Sequence, residues 1–415
     1  MSAHPSRSET VVVTGNTART KPENRAFYPA LDGLRALAFL MVFLQQYFEV
    51  PWGWAGVDIF FVLSGFLITG ILFDTRHDPH RVRNFYVRRT LRIFPLYYGV
   101  LIGLLLLMPV LHWEIHWSWL VWPAYLGNYA RFIRPYGAHD ALQMLADFQP
   151  TAFLKHHQVT LFLGHFWSLC VEEQFYLIWP WIVFWIRDRR KLLWVCAGAL
   201  PICLVLRLMG QALLPTWMLD NEILYRATPF RLDALLFGGL LTLLLRGEQR
   251  KLCFRIARWI FPIVAAIVMV WLVFGSYSPL WHRHQAYVYP RWRLTWGLSA
   301  IDLIAGLLIL TALQADTVVY KIFSRRPLRW VGRISYGAYV LHDIPHPIYA
   351  FLGSTIVKHL SEGSEVGPGA AARLAAVLTG VIALAMTLLL AWMSFRWLEN
   401  PFLNLKERWT ARVID

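Results

Sequence analysis

Ten long apolar segments restrict the folds open to this chain more than any other feature of its sequence. Each is about as long as the roughly 20 residues that a helix needs to cross a bilayer. Inside a bilayer the backbone must satisfy its own hydrogen bonds, so apolar segments of this length form helices. The sequence therefore predicts an all-α polytopic membrane protein of about ten transmembrane helices. The segments are 32–49, 56–74, 93–111, 167–187, 192–213, 229–246, 257–275, 295–314, 334–352 and 371–396.

Composition and segment lengths predict a single membrane domain. Hydrophobic residues make up 57% of the chain and charged residues 16%, whereas soluble domains have about 45–50% and about 25%. The apolar piece at 118–129 is too short to span, so we expect a short re-entrant or interfacial helix there. We divide the chain into a cytoplasmic tail at 1–29, a membrane domain at 30–402 and a second cytoplasmic tail at 403–415. The first tail lacks the apolar core of a signal peptide, so the first helix is expected to direct insertion.

The distribution of basic residues predicts the orientation in the membrane. Lysine and arginine are concentrated in both tails and in alternate connections, at 7–25, 76–92, 187–191, 246–258, 321–333 and 406–412. By the positive-inside rule these parts lie in the cytoplasm, which places both termini there. The net charge of +15 then faces anionic lipid headgroups, and no nucleic-acid partner is expected. The expected location is the cell membrane, in bacteria the inner membrane.

Histidine and cysteine do not predict a metal site or a disulfide framework. The longest outward connection, 112–166, holds several histidines, but they lack close ligand spacing and neighbouring cysteine or carboxylate partners. The four cysteines lie in predicted helices or in a cytoplasmic connection. That placement does not indicate a set of disulfides.

The first predicted helix carries polar residues that are costly inside a membrane and are therefore candidates for function. Asp32 and Arg35 lie near its start, and Gln46 lies near its end. Arg35 and Gln46 are separated by ten residues, which places them about three turns apart on one helix face. Asp32 and Arg35 are three positions apart, which is the spacing of an ion pair along one helix. Arg35 therefore has two interpretations, a structural ion pair with Asp32 and a functional group that faces a cavity.

Further motifs follow the first helix in a fixed order. They are WAGVDIFFVLSGFLIT at 54–69, FYVRRTLRIFPLYY at 85–98, FWSLCVEEQFYLIWP at 166–180, FRLDALLFGGLL at 230–241, GRISYGAYVLHDI at 332–344 and WLENPF at 397–402. Together with the first helix they resemble the acyltransferase-3 family of membrane acyltransferases, from about residue 27 to residue 402. The resemblance implies transfer of an acyl group, commonly acetyl, from cytoplasmic acyl-coenzyme A to a hydroxyl of a carbohydrate or glycolipid. It implies no prosthetic group, and acyl-coenzyme A is a substrate.

The resemblance also implies roles for individual residues. The catalytic group would comprise Gln46, Arg35, Glu172, Glu173 and His342. The donor would be bound by Arg88, Arg89 and Arg92. Supporting residues would be Asp32, Trp167, Ser168, Tyr176, Arg231, Asp233 and Tyr336.

Each of these roles has a structural alternative. The arginine cluster just before the third segment suits the phosphates of coenzyme A, but it is also a usual cytoplasmic anchor. Glu172 and Glu173 are expected at the outward end of the fourth segment, where they point about 100° apart and have different partners. They, with the neighbouring Trp167 and Tyr176, could also be anchors at the membrane surface. Arg231 with Asp233 presents the same choice.

Gln46 occupies the position at which the family carries its catalytic histidine. A glutamine side chain forms hydrogen bonds but has no titratable base near neutral pH, whereas imidazole is well suited to take the acceptor's proton. The chain is then either an inactive form that still holds substrates or an enzyme that uses another base. Candidates for that base are His342, Glu172 and Glu173. The other classes of function are a catalytically silent glycolipid-binding or assembly subunit, and a transporter, which the absence of a clear inverted repeat disfavours.

Overall fold

The structure is a computed structural model that describes residues 28–111, 117–132, 151–154, 157–160, 163–220, 222–275, 292–363 and 368–410. The predicted tail at 1–29 lies almost entirely outside the described residues, as does the end of the tail at 403–415. The first half of the membrane domain contains five long helices. They are α1 (Pro29–Phe48), α2 (Ala55–Asp74), α3 (Arg81–Leu111), α4 (Trp167–Ile186) and α5 (Arg189–Leu213).

Shorter helices alternate with long ones in the second half. They are α6 (Thr216–Asp220), α7 (Ile223–Arg226), α8 (Leu232–Leu245), α9 (Arg250–Gly275), α10 (Leu298–Ala312), α11 (Val318–Phe323), α12 (Arg326–Arg333), α13 (Ser335–Leu341), α14 (His346–Gly363), α15 (Pro368–Ser394) and α16 (Asn400–Trp409). Single π-helical turns lead into α10 and join α15 to α16. Among the described residues, six helical stretches are long and apolar enough to cross a membrane. The all-α membrane class is confirmed, whereas the count of ten spans stays a prediction.

The described parts of the connection between α3 and α4 contain 3-10 turns and a short pair of strands. The piece predicted at 118–129 forms two 3-10 turns, Trp117–Val121 and Gly127–Phe132. The strands β1 (Thr151–Leu154) and β2 (His157–Thr160) pair antiparallel, with Thr151 opposite Thr160. This small hairpin is the described exception to the predicted all-helical architecture.

Two departures from the predicted segments affect the site. The third helix begins at Arg81, twelve residues before the predicted segment, because basic residues are good helix formers at a membrane surface. The ninth segment, predicted as one helix, is broken between α13 and α14. Pro345 explains the break, because a proline disfavours helical backbone at the residue before it and provides no N–H.

Helix α2 is the centre of the bundle and packs against α1, α4, α8 and α10. Its contact with α8 is a backbone contact: a Cβ atom at Gly65 would lie 1.8 Å from the carbonyl oxygen of Leu235. The reciprocal contact involves Gly238, where a Cβ atom would lie 2.0 Å from the carbonyl oxygen of Val62. Small residues permit this close approach of helices in membranes. The periphery is apolar, and on α9 the side chains of Trp259, Ile263 and Ile267 are exposed, as expected of a lipid-facing helix.

Candidate active site

A cavity lies between α1, α2, α3, α4 and α13, and charged side chains from three of these helices line it. Arg35 comes from α1, Arg89 and Arg92 come from α3, and Glu172 and Glu173 come from α4. Hydroxyl groups complete the polar lining, on Ser64, Ser168, Ser335, Tyr336 and Tyr339. Apolar side chains, among them Val57, Phe60 and Phe61, close the remaining walls. The cavity therefore brings five charged side chains together inside a largely apolar bundle.

The early start of α3 explains how arginine reaches this cavity. Because the helix begins at Arg81, Arg89 and Arg92 are about two to three turns inside it, and they share a face. The Nε atom of Arg89 lies 3.8 Å from Oε1 of Glu173, and both side chains are mostly buried. The guanidinium of Arg89 also lies over the ring of Tyr176, 3.7 Å from its centre. Arg88, the third predicted donor-binding residue, is not among the cavity's lining residues.

The two glutamates do not lie at the opposite end of the bundle from the arginines. Glu172 and Glu173 share one cavity with Arg89 and Arg92, because α3 and α4 pack together there. Their outward position in the membrane stays a prediction. The two glutamates have different partners, as predicted. Glu173 faces Arg89, and Glu172 lies beside Ser64 and Tyr176. The hydroxyls of Ser64 and Tyr176 are hydrogen-bonded to each other.

Arg35 combines both of its sequence interpretations. Its Nη1 atom lies 3.8 Å from Oδ1 of Asp32, so the predicted ion pair is present but long. The same guanidinium lines the cavity. Tyr336 also lines the cavity, and its hydroxyl donates to the carbonyl of Ile93 at 2.7 Å. The tyrosine thereby links α13 to the helix that carries Arg89.

A second polar group, here called the outer cluster, consists of Gln46, His165, His342 and Asp343. Gln46 is exposed, and its Nε2 donates to Oδ1 of Asp343 at 3.0 Å. Nδ1 of His165 lies 3.7 Å from the other oxygen of Asp343, and the rings of His165 and His342 lie 4.7 Å apart. None of the four residues lines the cavity. The predicted catalytic group is therefore divided, with Gln46 and His342 in the outer cluster and the charged residues in the cavity.

A hydrogen-bonded pair of hydroxyls lies between the cavity and the outer cluster. Ser168 Oγ and the Tyr339 hydroxyl, both in the cavity wall, are 2.6 Å apart. The Tyr339 hydroxyl also donates to the carbonyl of His165 at 3.0 Å. The ring centres of Tyr339 and His165 are 5.7 Å apart. One layer of side chains thus separates the charged cavity from the outer cluster.

Arg231 and Asp233, predicted to support the site, instead belong to a buried charge network. Arg231 pairs with Asp58 at 2.6 Å, and Asp233 pairs with Arg207 at 2.7 Å. All four side chains are at most 1% exposed, and none lines the cavity. The structure thus favours the structural alternative for both residues. They link α2, α5 and α8, because a buried charge requires a partner in the bundle.

Aromatic and charged side chains fix the connection that carries His165. Trp167, another predicted supporting residue, packs its ring 4.7 Å from that of Tyr225. Arg226 pairs with Glu222 at 2.8 Å and reaches the carbonyl of Gly164, next to His165, at 3.4 Å. Burial raises the pKa of Glu222, but the positive charges of Arg226 and Arg131 outweigh it and hold that pKa below its ordinary value.

Sequence reasoning missed four residues that the structure brings to the site or beside it: Ser64, His165, Tyr339 and Asp343. A signal existed for Asp343, which lies in an apolar segment two residues before Pro345. His165 had no comparable signal, because a single histidine at a helix start is common. Among the described residues, no group of three or more histidine, cysteine or carboxylate side chains is arranged to hold a metal ion.

Comparison with known proteins gives consistent results. The chain is 28% identical to the peptidoglycan O-acetyltransferase of Listeria monocytogenes over 401 residues, which cover 92% of this chain and 57% of that protein. It is also 28% identical over 410 residues to a putative peptidoglycan O-acetyltransferase of Bacillus subtilis, covering 92% of this chain and 56% of the relative. A putative O-acetyltransferase of Staphylococcus aureus is 25% identical, with coverage of 92% and 58%.

This chain thus spans a little more than half the length of these curated relatives. No solved structure matches it. The profile of the acyltransferase domain family matches residues 28–396, which contain the cavity and the outer cluster. The chain therefore belongs to the acyltransferase domain family.

Proposed function

We propose that this chain transfers an acetyl group from cytoplasmic acyl-coenzyme A to a hydroxyl group of a cell-wall carbohydrate. The observation that carries the proposal is the cavity in which Arg35, Arg89 and Arg92 face Glu172 and Glu173. Membership of the acyltransferase domain family supports the reaction type. The curated relatives named for peptidoglycan O-acetylation support the acceptor class.

The arginines of the cavity are suited to an anionic donor. Three guanidinium groups face two carboxylates there, so the lining has an excess of positive charge. Guanidinium groups form strong, geometrically specific hydrogen bonds to phosphate, and charges in an apolar surrounding are weakly screened. Arg89 is held in place by Glu173 and by the ring of Tyr176. We assign the binding of the donor's phosphates to Arg89 and Arg92, and the orientation of the thioester to Arg35.

The acceptor would approach from the opposite side, where Gln46 is exposed. Acyl transfer forms a bond between the acceptor oxygen and the carbonyl carbon and breaks the carbon–sulfur bond of the thioester. A group must take the hydroxyl proton, and the loss of such a base commonly costs about 10²–10⁴-fold in rate. The amide of Gln46 cannot act as that base. In this structure it holds the carboxylate of Asp343.

A silent binding subunit is the second candidate function, and Gln46 is the specific observation that favours it. In that case the cavity would bind the donor, and the chain would transfer no acetyl group. Mass spectrometry of cell-wall glycans from cells that express the wild-type chain or its Gln46→His variant distinguishes the two. Acetylation by the wild type supports the enzyme. Acetylation by the variant alone supports an inactive form of the enzyme that lacks only the base, and donor binding without acetylation by either chain supports the silent subunit.

The donor assignment is tested by Arg89→Gln. We expect at least a tenfold rise in the Kd for acetyl-coenzyme A, because the variant loses one buried guanidinium that faces the cavity and about 1.4 kcal/mol corresponds to tenfold. Isothermal titration calorimetry of the protein in lipid nanodiscs measures this Kd. The matched control is Arg83→Gln on the same helix, where the exposed guanidinium reaches the carbonyl of Trp409. Equal affinities of the Arg89→Gln variant and the wild type would exclude this cavity as the donor site.

A further inference from the structure

Asp343 is shared by two side chains of the outer cluster. Its Oδ1 accepts the amide hydrogen of Gln46 at 3.0 Å, and its Oδ2 lies 3.7 Å from Nδ1 of His165. An imidazole at residue 46 would meet this carboxylate from the same side as the amide does. The chain therefore retains an orienting carboxylate of the kind that a catalytic histidine requires, and a second histidine already faces its other oxygen.

The hydrogen bonds of His165 determine which of its nitrogens is basic. Nε2 lies 3.0 Å from the carbonyl oxygen of Val340, and since a carbonyl only accepts, Nε2 must carry the hydrogen. Nδ1 then has the free lone pair. It is buried and makes no hydrogen bond to any described residue. The carboxylate of Asp343, 3.7 Å away, would stabilise a positive charge on this ring.

His165 also lies next to the cavity. Its carbonyl accepts from the Tyr339 hydroxyl, and Ser168, one turn later on α4, lines the cavity with Tyr339. His342 is less suitable as a base. Its ring is 1% exposed, and its Nδ1 lies 2.7 Å from the carbonyl of Tyr339 in the preceding turn of its own helix.

We propose that His165 is the catalytic base of this chain, in place of an imidazole at residue 46. Asp343 is its positioning residue, and Gln46 holds Asp343. The proposal rests on the acetyl transfer proposed above. The acceptor hydroxyl must reach between the ring of His165 and the cavity, which requires the hydrogen-bonded pair of Ser168 and Tyr339 to open. Nδ1 of His165 then takes the hydroxyl proton as the oxygen attacks the thioester carbon. The carbon–sulfur bond breaks, and the imidazolium returns the proton to the departing thiolate, which leaves as the free thiol of coenzyme A.

The first test replaces His165 with asparagine, which retains a hydrogen-bonding side chain but has no basic nitrogen. We expect kcat for acetyl transfer to soluble peptidoglycan glycan strands to fall about 10²–10⁴-fold. The Kd for acetyl-coenzyme A is expected to change less than twofold, because His165 does not line the donor cavity. Asp343→Asn is expected to lower kcat in the same direction. The control is His359→Asn, which removes an exposed histidine of α14 and is expected to leave kcat unchanged.

A second variant separates catalysis from a structural role. In a His165→Asn background, Gln46→His is expected to raise kcat at least tenfold above that of the His165→Asn variant. The reason is that the new imidazole lies beside the same carboxylate. A structural role for His165 predicts no such recovery. If the wild type transfers acetyl groups and His165→Asn transfers them equally well, His165 is not the base, although the proposed function stands. A wild-type chain that binds acetyl-coenzyme A but transfers no acetyl group overturns both proposals.

Discussion

Replacing Arg231 with methionine is expected to lower the free energy of unfolding by about 3–5 kcal/mol. The guanidinium is fully buried and pairs with the buried carboxylate of Asp58 at 2.6 Å. Removing it leaves that carboxylate without its cationic partner, in a place where water cannot compensate. Denaturant titration of the protein in lipid nanodiscs, followed by tryptophan fluorescence, measures the change.

A second ion pair between the ends of α2 and α8 provides the matched control. Arg246 and Asp74 approach to 2.5 Å, but their side chains are 30% and 46% exposed. Exposed pairs contribute about 0–1 kcal/mol, so Arg246→Met should have a small effect. The double variant Asp58→Leu/Arg231→Met should recover most of the loss, because apolar replacement of a buried pair is often neutral. Equal effects of the two arginine variants would contradict a special role for the buried pair.

Adding a single methyl group at Gly65 is expected to disrupt the centre of the bundle. In the Gly65→Ala variant the new Cβ would lie 1.8 Å from the carbonyl oxygen of Leu235, so α2 and α8 must move apart. Overpacking typically costs about 1–3 kcal/mol, occasionally more, and a backbone atom cannot move away as a flexible side chain would. We expect the free energy of unfolding to fall by at least the upper value of that range, measured by the same titration. The yield of monodisperse protein in size-exclusion chromatography should fall as well.

The control for this prediction is Gly198→Ala on α5. No described atom lies within 4 Å of a Cβ at that position, and alanine has the higher helix propensity. This variant should be as stable as the wild type or slightly more stable. If Gly65→Ala were equally stable, the close contact between α2 and α8 would not be required for folding.

Much of the fold could be predicted from hydrophobicity, because a bilayer imposes a minimum length on apolar helices. The start of α3 could not be predicted in this way. Its first turns are basic and carry no apolar signal, yet they place Arg89 beside Glu173, 84 positions later in the sequence. A contact of this kind depends on how α3 and α4 pack. Pro345 indicates the break between α13 and α14 in the sequence. The prediction instead followed the apolar residues around Pro345 and gave one helix.

The candidate site, like the fold, could be predicted from the sequence only in part. Motif resemblance identified Arg35, Arg89, Arg92 and the two glutamates, and the structure brings all five into one cavity. It could not show that Gln46 lies outside that cavity, because three turns of helix separate it from Arg35. Asp343, which lies 3.7 Å from His165, falls in the break after α13, and the sequence prediction did not contain that break.

The short helix α8 has a consequence for the path of the acceptor. Its 14 residues rise about 21 Å, while the hydrocarbon core of a bilayer is about 30 Å thick. The short helices α6 and α7 precede it, and Arg226 of α7 reaches the carbonyl of Gly164, next to His165 of the outer cluster. Short segments that carry Glu222 and Arg226 therefore take up part of the depth above α8. Under the function proposed above, a carbohydrate acceptor would need to cross only the remaining thickness.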